Sequence, residues 1–482
     1  MSPEPQADPN DLAARLREQF EQLCRDVTAA VNAAPPGRVI ADSEEQVRDL
    51  LARFRRATYQ AAVQLRLDAA QAASPPPAHP GTGRRLQSKG AEPFSVLTVN
   101  GRVTLSRRRY FAKGAGSLTP LDGWLDSARA SISRGVAEMA CRLNQASRSF
   151  EKAADNLARC AQLRLSRESL RRLAESEGKA ALAAERAGRV APGWGGGDCP
   201  TRDEHGRPTG RTRLYLGADG VMAPMVTQAE KDARRSKVKA KRRRRGRRCR
   251  PLPRARPGAD QAFKELKIVT LYDEPAEHRL VAVTRGNCER AGELMRRAAG
   301  RVRLEEADDK VAVVDGAEWI RNQLRQHSLP LDAVGLDFYH FAENVHKARR
   351  AVYGEEEGEG GPGRAWAAGV LRLARAAGYL ELEEAVWGWA ARWRGARRKA
   401  AFALLAYMSE REEMIRYKEF AAAGRQIGSG PTESMCKATT LRVKGVGKKW
   451  DADNASALMA LEALDQSGLW DVYWGLPPPI AS

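Results

Sequence analysis

Between residues 213 and 338 the apolar residues leave the helical spacing that dominates the rest of the chain, and the order of the runs they form constrains the fold more than any other feature. RLYLGADG, LKIVTLYD and HRLVAVTRG are three strand-like runs in succession. DKVAVVDG follows, then a helix-like AEWIRNQLRQH, then LDAVGLDF leading into a further helix. Strand, strand, strand, then strand, helix, strand, helix predicts an α/β domain built around one sheet.

The flanking sequence is helical in period. Residues 1–80 hold apolar positions at helical spacing (Leu12, Leu16, Phe20, Leu23, Val27, then Val47, Leu51, Phe54, Tyr59, Val63, Leu67) and end at SPPPAHPGTG, which continues neither helix nor strand. Within 81–120, SVLTVNGRVTLSRRRYF alternates around Asn100-Gly101 and predicts a β-hairpin with a basic end. Residues 121–195 are helical again. There SFEKAADNLARCAQLRLSRESLRRLAE places two short helices around a turn near Leu163 to Leu165, with Ser166 as N-cap of the second. Arg167, Arg171 and Arg172 on that helix fit a helix-turn-helix entering a major groove; an ordinary αα-hairpin fits the same pattern. APGWGGGDCP then sets a boundary near residue 195. Residues 364–424 read as a helical insertion rich in tryptophan.

With 81 Lys+Arg against 60 Asp+Glu in 482 residues, the net charge is +21, which calls for a polyanionic partner, nucleic acid first. Part of that charge is concentrated in residues 231–256, a run with Arg242, Arg243, Arg244 and Arg245 at its centre. Self-repulsion predicts a mobile basic loop there, either merely solvated or neutralising phosphates. No apolar run is long enough to span a bilayer, and the polar N-terminus does not resemble a secretory signal, so a cytoplasmic location is expected. The seven cysteines (Cys24, Cys141, Cys160, Cys199, Cys249, Cys288 and Cys436) show no paired spacing, and no two histidines stand at i, i+4, which argues against a zinc hydrolase.

Two acids share one context. Asp219 and Asp315 each follow an apolar strand and precede a glycine, so each carboxylate is expected at a strand end. One such Asp is usually a turn former or cap. Two on neighbouring strands can hold divalent metal for phosphodiester transfer, and an all-oxygen donor set suits Mg²⁺. Glu433 is the candidate third carboxylate, at the start of a helix expected to carry Lys437, Arg442, Lys444, Lys448 and Lys449; alone, it would read as a first-turn acid complementing the helix dipole.

Taken together, the strand order resembles the ribonuclease H-like fold. YLGADGV, VVDGAEWI, LDFYHFAENV and GSGPTESMCK...RVKGVGKKW resemble, in order and spacing, bacterial insertion-sequence transposases of the ISKra type, relatives of the Mutator-like DDE transposases. The resemblance runs from the hairpin near Leu97 to Trp474. It implies a ribonuclease H-like catalytic domain, Mg²⁺ or Mn²⁺, and DNA strand cleavage and transfer by Asp219, Asp315 and Glu433. In those relatives a Cys-or-Asp, two residues, then His follows the second catalytic Asp. Asp337 and His340 match it as supporting residues, while Asp337 as second metal ligand, or as a plain helix cap, remains open. The paired-cysteine element that often follows the hairpin is replaced here by RRRYFAKGAG.

The expected architecture is therefore a multidomain α+β chain: a helical module (1–80), a hairpin and linker (81–120), a helix-turn-helix-like DNA-binding domain (121–195), and a ribonuclease H-like catalytic domain (196–482) with its basic loop and helical insertion. The expected partners are double-stranded DNA, both element ends and target, and further copies of the chain in a dimeric or larger synaptic complex associated with the nucleoid; no membrane is involved. A non-catalytic DNA-binding regulator, or a structure-specific or RNA-guided nuclease on the same fold, is the alternative.

Overall fold

The computed structural model describes residues 6–79, 81–113, 116–126, 131–246, 250–355, 360–445 and 447–476. The chain forms two compact units, Met1–Ala174 and Glu175–Ser482. The division falls within a helix, whereas the sequence places a boundary near 195. The glycines there serve close approach instead: a Cβ on Gly196 would lie 2.8 Å from the Arg303 carbonyl and the Ala307 nitrogen.

The first unit opens with α1 (Pro9–Ala33) and α2 (Val39–Ala73), packed together with Phe20 and Phe54 in ring contact at 5.8 Å. β1 (Ser88–Thr98) and β2 (Gly101–Ala112) form the hairpin, and β3 (Gly116–Leu118) adds to β2. The turn differs from the expected Asn-Gly type. Thr98 pairs with Gly101, so Val99 and Asn100 form the loop, and only Gly101 takes positive φ (106°). Thr98 stabilises this arrangement, its hydroxyl donating to the Gly101 carbonyl and accepting from the Asn100 N–H.

Leu67 of α2 is buried with Val96, Val103 and Leu105 of the hairpin. Gln60, Gln64 and Gln71 of α2 accept from the N–H groups of Thr104, Ser106 and Arg108, which satisfies donors along β2. α3 (Arg134–Gln145), α4 (Phe150–Ala161) and α5 (Arg167–Arg186) follow. Leu157, Leu163 and Leu170 meet Val136 and Ala140 in one core. Ser166 caps α5 by accepting from Ser169 N–H at 3.1 Å, as its sequence position indicates, but α5 is 20 residues long rather than short.

The second unit is mixed α/β. β4 (Pro200–Arg202) pairs with β5 (Pro208–Pro224), and the main sheet runs β7 (Arg279–Thr284), β6 (Phe263–Tyr272), β5, β8 (Asp309–Val314), β9 (Ala333–Leu336). β6 runs antiparallel to both β5 and β7, whereas β8 runs parallel to β5 and β9 parallel to β8. The strand runs read from sequence are all present.

Between β5 and β6 lies α6 (Gln228–Arg244), a helix where the sequence predicts a mobile loop. Thr227 and Glu230 form a capping box, and the return segment is held by Arg235 and Arg242 donating to the carbonyls of Pro253 and Arg250. Those local bonds offset the self-repulsion. Residues 247–249, including Cys249, lie outside the described residues.

α7 (Cys288–Arg301), between β7 and β8, is an element the strand-only reading of that stretch omits, although Asn287 caps it and Ala291, Leu294, Met295 and Ala298 recur at helical spacing. α8 (Glu318–Gln326) and α9 (Phe338–Tyr353) follow β8 and β9. The helical insertion is α10 (Pro362–Ala376), α11 (Tyr379–Ala390), α12 (Gly395–Ser409) and α13 (Tyr417–Ala422), with Trp366 stacked on Trp389 at 3.7 Å. α14 (Gly430–Leu441), α15 (Ala452–Gln466) and α16 (Trp470–Trp474) complete the unit.

Helices cover both faces of the sheet. Gly217 meets Thr432 of α14, whereas Lys267, opposite Gly220, lies under the Trp319 ring of α8. Residues 217 and 220 alternate to opposite faces. Among the described residues no helix is long and apolar enough to cross a membrane.

Candidate catalytic and nucleic-acid-binding residues

Strand register places three aspartates in one row. Leu216 of β5 pairs with Ala312 of β8, and Ala312 with Val334 of β9. Three residues on from each stand Asp219, Asp315 and Asp337. Asp337 N–H donates to the Val314 carbonyl at 2.8 Å, which keeps the row together past the strand ends.

Asp219 is not at a strand end, contrary to the sequence reading. β6 continues beside it, pairing Asp219 with Ile268, and only the ladder to β8 has stopped. Its backbone is thus paired on the β6 side only. Burial and the like charge of Asp315 push it above the ordinary carboxylate range. Asp315 does follow its strand directly; its Oδ1 accepts from Ala317 N–H at 2.8 Å, and Gly316 supplies the required positive φ (74°).

Asp337 is fully buried and its oxygens are occupied. Oδ1 accepts from Ser429 N–H at 2.6 Å; Oδ2 accepts from His340 N–H at 2.9 Å and lies 2.8 Å from His340 Nδ1. It caps α9 and braces the segment that opens α14. Burial works to raise its pKa, but the His340 and Ser429 donors outweigh this and hold the carboxyl low. His340 is pushed up to about 9, chiefly by its bond to Asp337 against the effect of burial, with the Asp315 charge adding to it.

Glu433 lies in the first turn of α14 and is exposed. Ligand atoms of Asp337, His340 and Glu433 lie within 4.8 Å of one another. α14 reaches the sheet because residue 217 is glycine: a Cβ there would lie 1.9 Å from Thr432 Oγ1. One turn after Glu433, Cys436 is buried, and burial, with the nearby Asp219 charge adding to it, pushes its thiol up. The sequence reading passed over Cys436, Gly217 and Thr432, although i, i+3 spacing from Glu433 to Cys436 was visible.

Asp219 and Asp315 offer oxygen donors and repel each other, whereas among the described residues the ligand atoms grouped with Glu433 are those of Asp337 and His340. Carboxylate oxygens of this kind are ligands for a hard divalent cation, whose charge offsets such repulsion. Asp337, saturated by N–H donors, is better fitted to hold His340 and Ser429 in place.

A second cluster joins residues that look scattered in sequence: Cys199, Asp273 and His278 have ligand atoms within 4.8 Å. Their present bonds are ordinary. Cys199 donates to the Gly195 carbonyl, and Asp273 takes the backbone N–H and Nδ1 of His278 across the β6–β7 turn.

The basic residues separate into distinct groups. On α5, Arg167 is exposed, whereas Glu168 is bonded to both Arg171 and Arg172 and is held at about 2 by them. On α6, Arg243, Arg244 and the capping Arg245 are exposed, and Arg242 is committed to Arg250. α14 ends at Leu441, so of the five expected basic residues only Lys437 is on it. Arg442 is buried against Trp450, its pKa lowered to about 10 by burial. Lys448 donates to the Arg442 carbonyl, Lys449 pairs with Glu230, and Lys444 is exposed. Among the described residues, Lys437 and Lys444 are the members of this group with no ion-pair or side-chain hydrogen-bond partner. Comparison with protein-family models and with curated proteins finds no match for this chain.

Proposed function

We propose that the chain is a DDE transposase that cuts and joins DNA at the ends of its element, through Asp219, Asp315 and Glu433. The observation that carries this reading is the row of carboxylates across adjacent parallel strands, with α14 bringing Glu433 to its edge. The strand order β7-β6-β5-β8-β9, three antiparallel strands followed by two parallel ones, supports a ribonuclease H-like catalytic domain. The net charge of +21 supports a DNA substrate.

On this reading Asp219, Asp315 and Glu433 hold Mg²⁺ or Mn²⁺, which when bound supplies positive charge for the attacking and leaving oxygens of the phosphodiester. The chain's own contribution is placement. The β5–β6 ladder fixes Asp219, the Asp315-Gly316 turn fixes Asp315, and Asp337 orients His340, which carries its proton at neutral pH and can stabilise phosphate charge. Arg167 of α5 and Arg243 to Arg245 of α6 contact the duplex. Two ends cut together require two or more copies of the chain.

The test is a search for inverted repeats flanking the coding region, followed by incubation of those ends with the protein. Nicking or joining in Mg²⁺ or Mn²⁺, and none in EDTA, is expected. Tight binding to the ends without cleavage in either metal would favour a DNA-binding regulator instead.

A further inference from the structure

The first unit contains a concave cleft of about 520 Å³ walled by α2, the tip of the β1–β2 hairpin and the connection between α4 and α5. Arg53, Arg55 and Arg56 enter it from α2, Arg102 from the hairpin, and Arg164 from the connection. Among the described residues these five guanidinium groups are exposed and have neither an ion-pair nor a hydrogen-bond partner. The two acids in the cleft are already engaged: Glu45 pairs with Arg159 at 2.5 Å and with Arg48 at 3.2 Å, and Asp49 accepts from Gln162 at 2.8 Å. Gly101 allows the convergence, since a Cβ there would press on the Arg56 side chain at 3.3 Å.

Five uncompensated arginines facing one concavity repel one another and add nothing to the fold, so their arrangement favours an anionic ligand. Their planar forks, with the amides of Asn100 and Gln162 beside them, match phosphate oxygens spaced along a backbone. A lipid surface would instead need exposed apolar side chains to insert, and the apolar lining of the cleft is limited to Ala52, Leu97 and Ala158. Arg164 also stands two residues before Ser166, the cap of α5, so a strand gripped here would pass beside the first turn of that helix.

We propose that this cleft is a phosphate-backbone site for duplex DNA, gripping the strand independently of sequence through Arg56, Arg102 and Arg164 while α5 meets the adjacent groove. The proposal rests on the reading of the chain as a DNA-acting protein.

The test uses the full chain, a fluorescent random-sequence duplex and anisotropy titrations over a range of salt. In R56Q/R102Q/R164Q the slope of log K against log salt should fall by about 2 to 3, and affinity near 100 mM salt by roughly ten- to hundredfold, because each lost phosphate contact removes ~0.9 from the slope. The melting temperature should be unchanged, since none of the three side chains bonds within the fold; R102Q alone should lower the slope by about 1. An unchanged slope in both variants, with tight binding by the wild type, overturns the cleft and leaves the DNA-acting reading standing. No duplex binding by the wild type overturns both. Loss of binding to phosphatidylserine vesicles in the triple variant, with duplex binding intact, would overturn the DNA site in favour of a membrane surface.

Discussion

Asp219 and Asp315 stand level on adjacent parallel strands, each three residues past the paired Leu216 and Ala312. The ladder between β5 and β8 has ended there, so the two backbones carry a carboxylate each with no ladder hydrogen bond between them. The repulsion that results is visible in Asp219, whose carboxyl is pushed up by burial and by Asp315.

A carboxyl raised above its unfolded value contributes stability that is fully present below the unfolded pKa and lost as pH rises through the folded one. At neutral pH Asp219 is therefore a cost to the metal-free fold. Asp219→Asn should raise the melting temperature of metal-free protein by roughly 2 to 4 °C, about 1 kcal/mol, with the gain shrinking towards pH 4. Calorimetry across pH checks this, and a lower melting temperature at pH 7 would count against the crowded pair.

Gly217→Ala should separate α14 from the sheet. The new Cβ would sit 1.9 Å from Thr432 Oγ1 and 2.7 Å from Thr270 Oγ1, both buried. A cost of about 1 to 3 kcal/mol is expected, together with loss of cleavage as Glu433 is displaced. Adding Thr432→Ala should recover part of both. Wild-type stability and activity in Gly217→Ala alone would show that α14 need not approach so closely.

The Asp337–His340 pair predicts a pH window. The folded pKa of His340, about 9, lies above its ordinary 6.5, so its contribution is complete below 6.5 and disappears as pH rises through about 9. Asp337, held low, contributes above its ordinary value and loses that contribution as pH falls through the lowered one. In metal-free protein the NMR titration of His340 should have its midpoint near 9, and in Asp337→Asn it should fall towards 6.5. A wild-type midpoint near 6.5 would contradict the pairing.

Asp309 should be the most costly surface-proximal acid to remove. It is buried between Arg213 and Arg425, at 2.7 Å from each, and Arg213 also donates to the carbonyls of Ala423 and Gly424. Asp309→Ala would leave Arg425 without its carboxylate partner and Arg213 with only the longer contact to Glu274 at 3.8 Å, and is expected to cost about 3 to 5 kcal/mol in chemical denaturation. A loss below ~1 kcal/mol would mean that solvent reaches this site freely.

What the sequence makes legible follows from what is local. Apolar runs give β5 to β9, and Ser166 marks the start of α5, because burial on both faces and capping each leave a pattern over a few residues. Where the reading went astray, a distant partner decided the outcome. β5 continues past Asp219 because β6 lies beside it, a fact that no residue near 219 encodes. The charge run folds as a helix as far as Arg244, where its own arginines find backbone carbonyls of Arg250 and Pro253 in the returning segment. Arg442 looks like a DNA contact in sequence but is buried against Trp450, eight residues on. Asp337 resembles Asp315 until its three N–H donors, one from Ser429 across the unit, are seen.

On the proposed reading Asp219, Asp315 and Glu433 act on DNA, while Asp337 holds His340 and the Ser429 segment in place. The most direct measurement is metal-dependent cleavage of element-end DNA by Asp315→Asn and Asp337→Asn side by side, with DNA binding and melting temperature recorded for each. Asp315→Asn should bind the ends and melt as the wild type or higher but cut at least about 10³-fold more slowly, the scale of losing a charge that acts only on the transition state. Asp337→Asn should melt lower and retain partial cleavage. Full cleavage by Asp315→Asn, with a stable but inactive Asp337→Asn, would contradict that reading and move the second metal-holding role to Asp337.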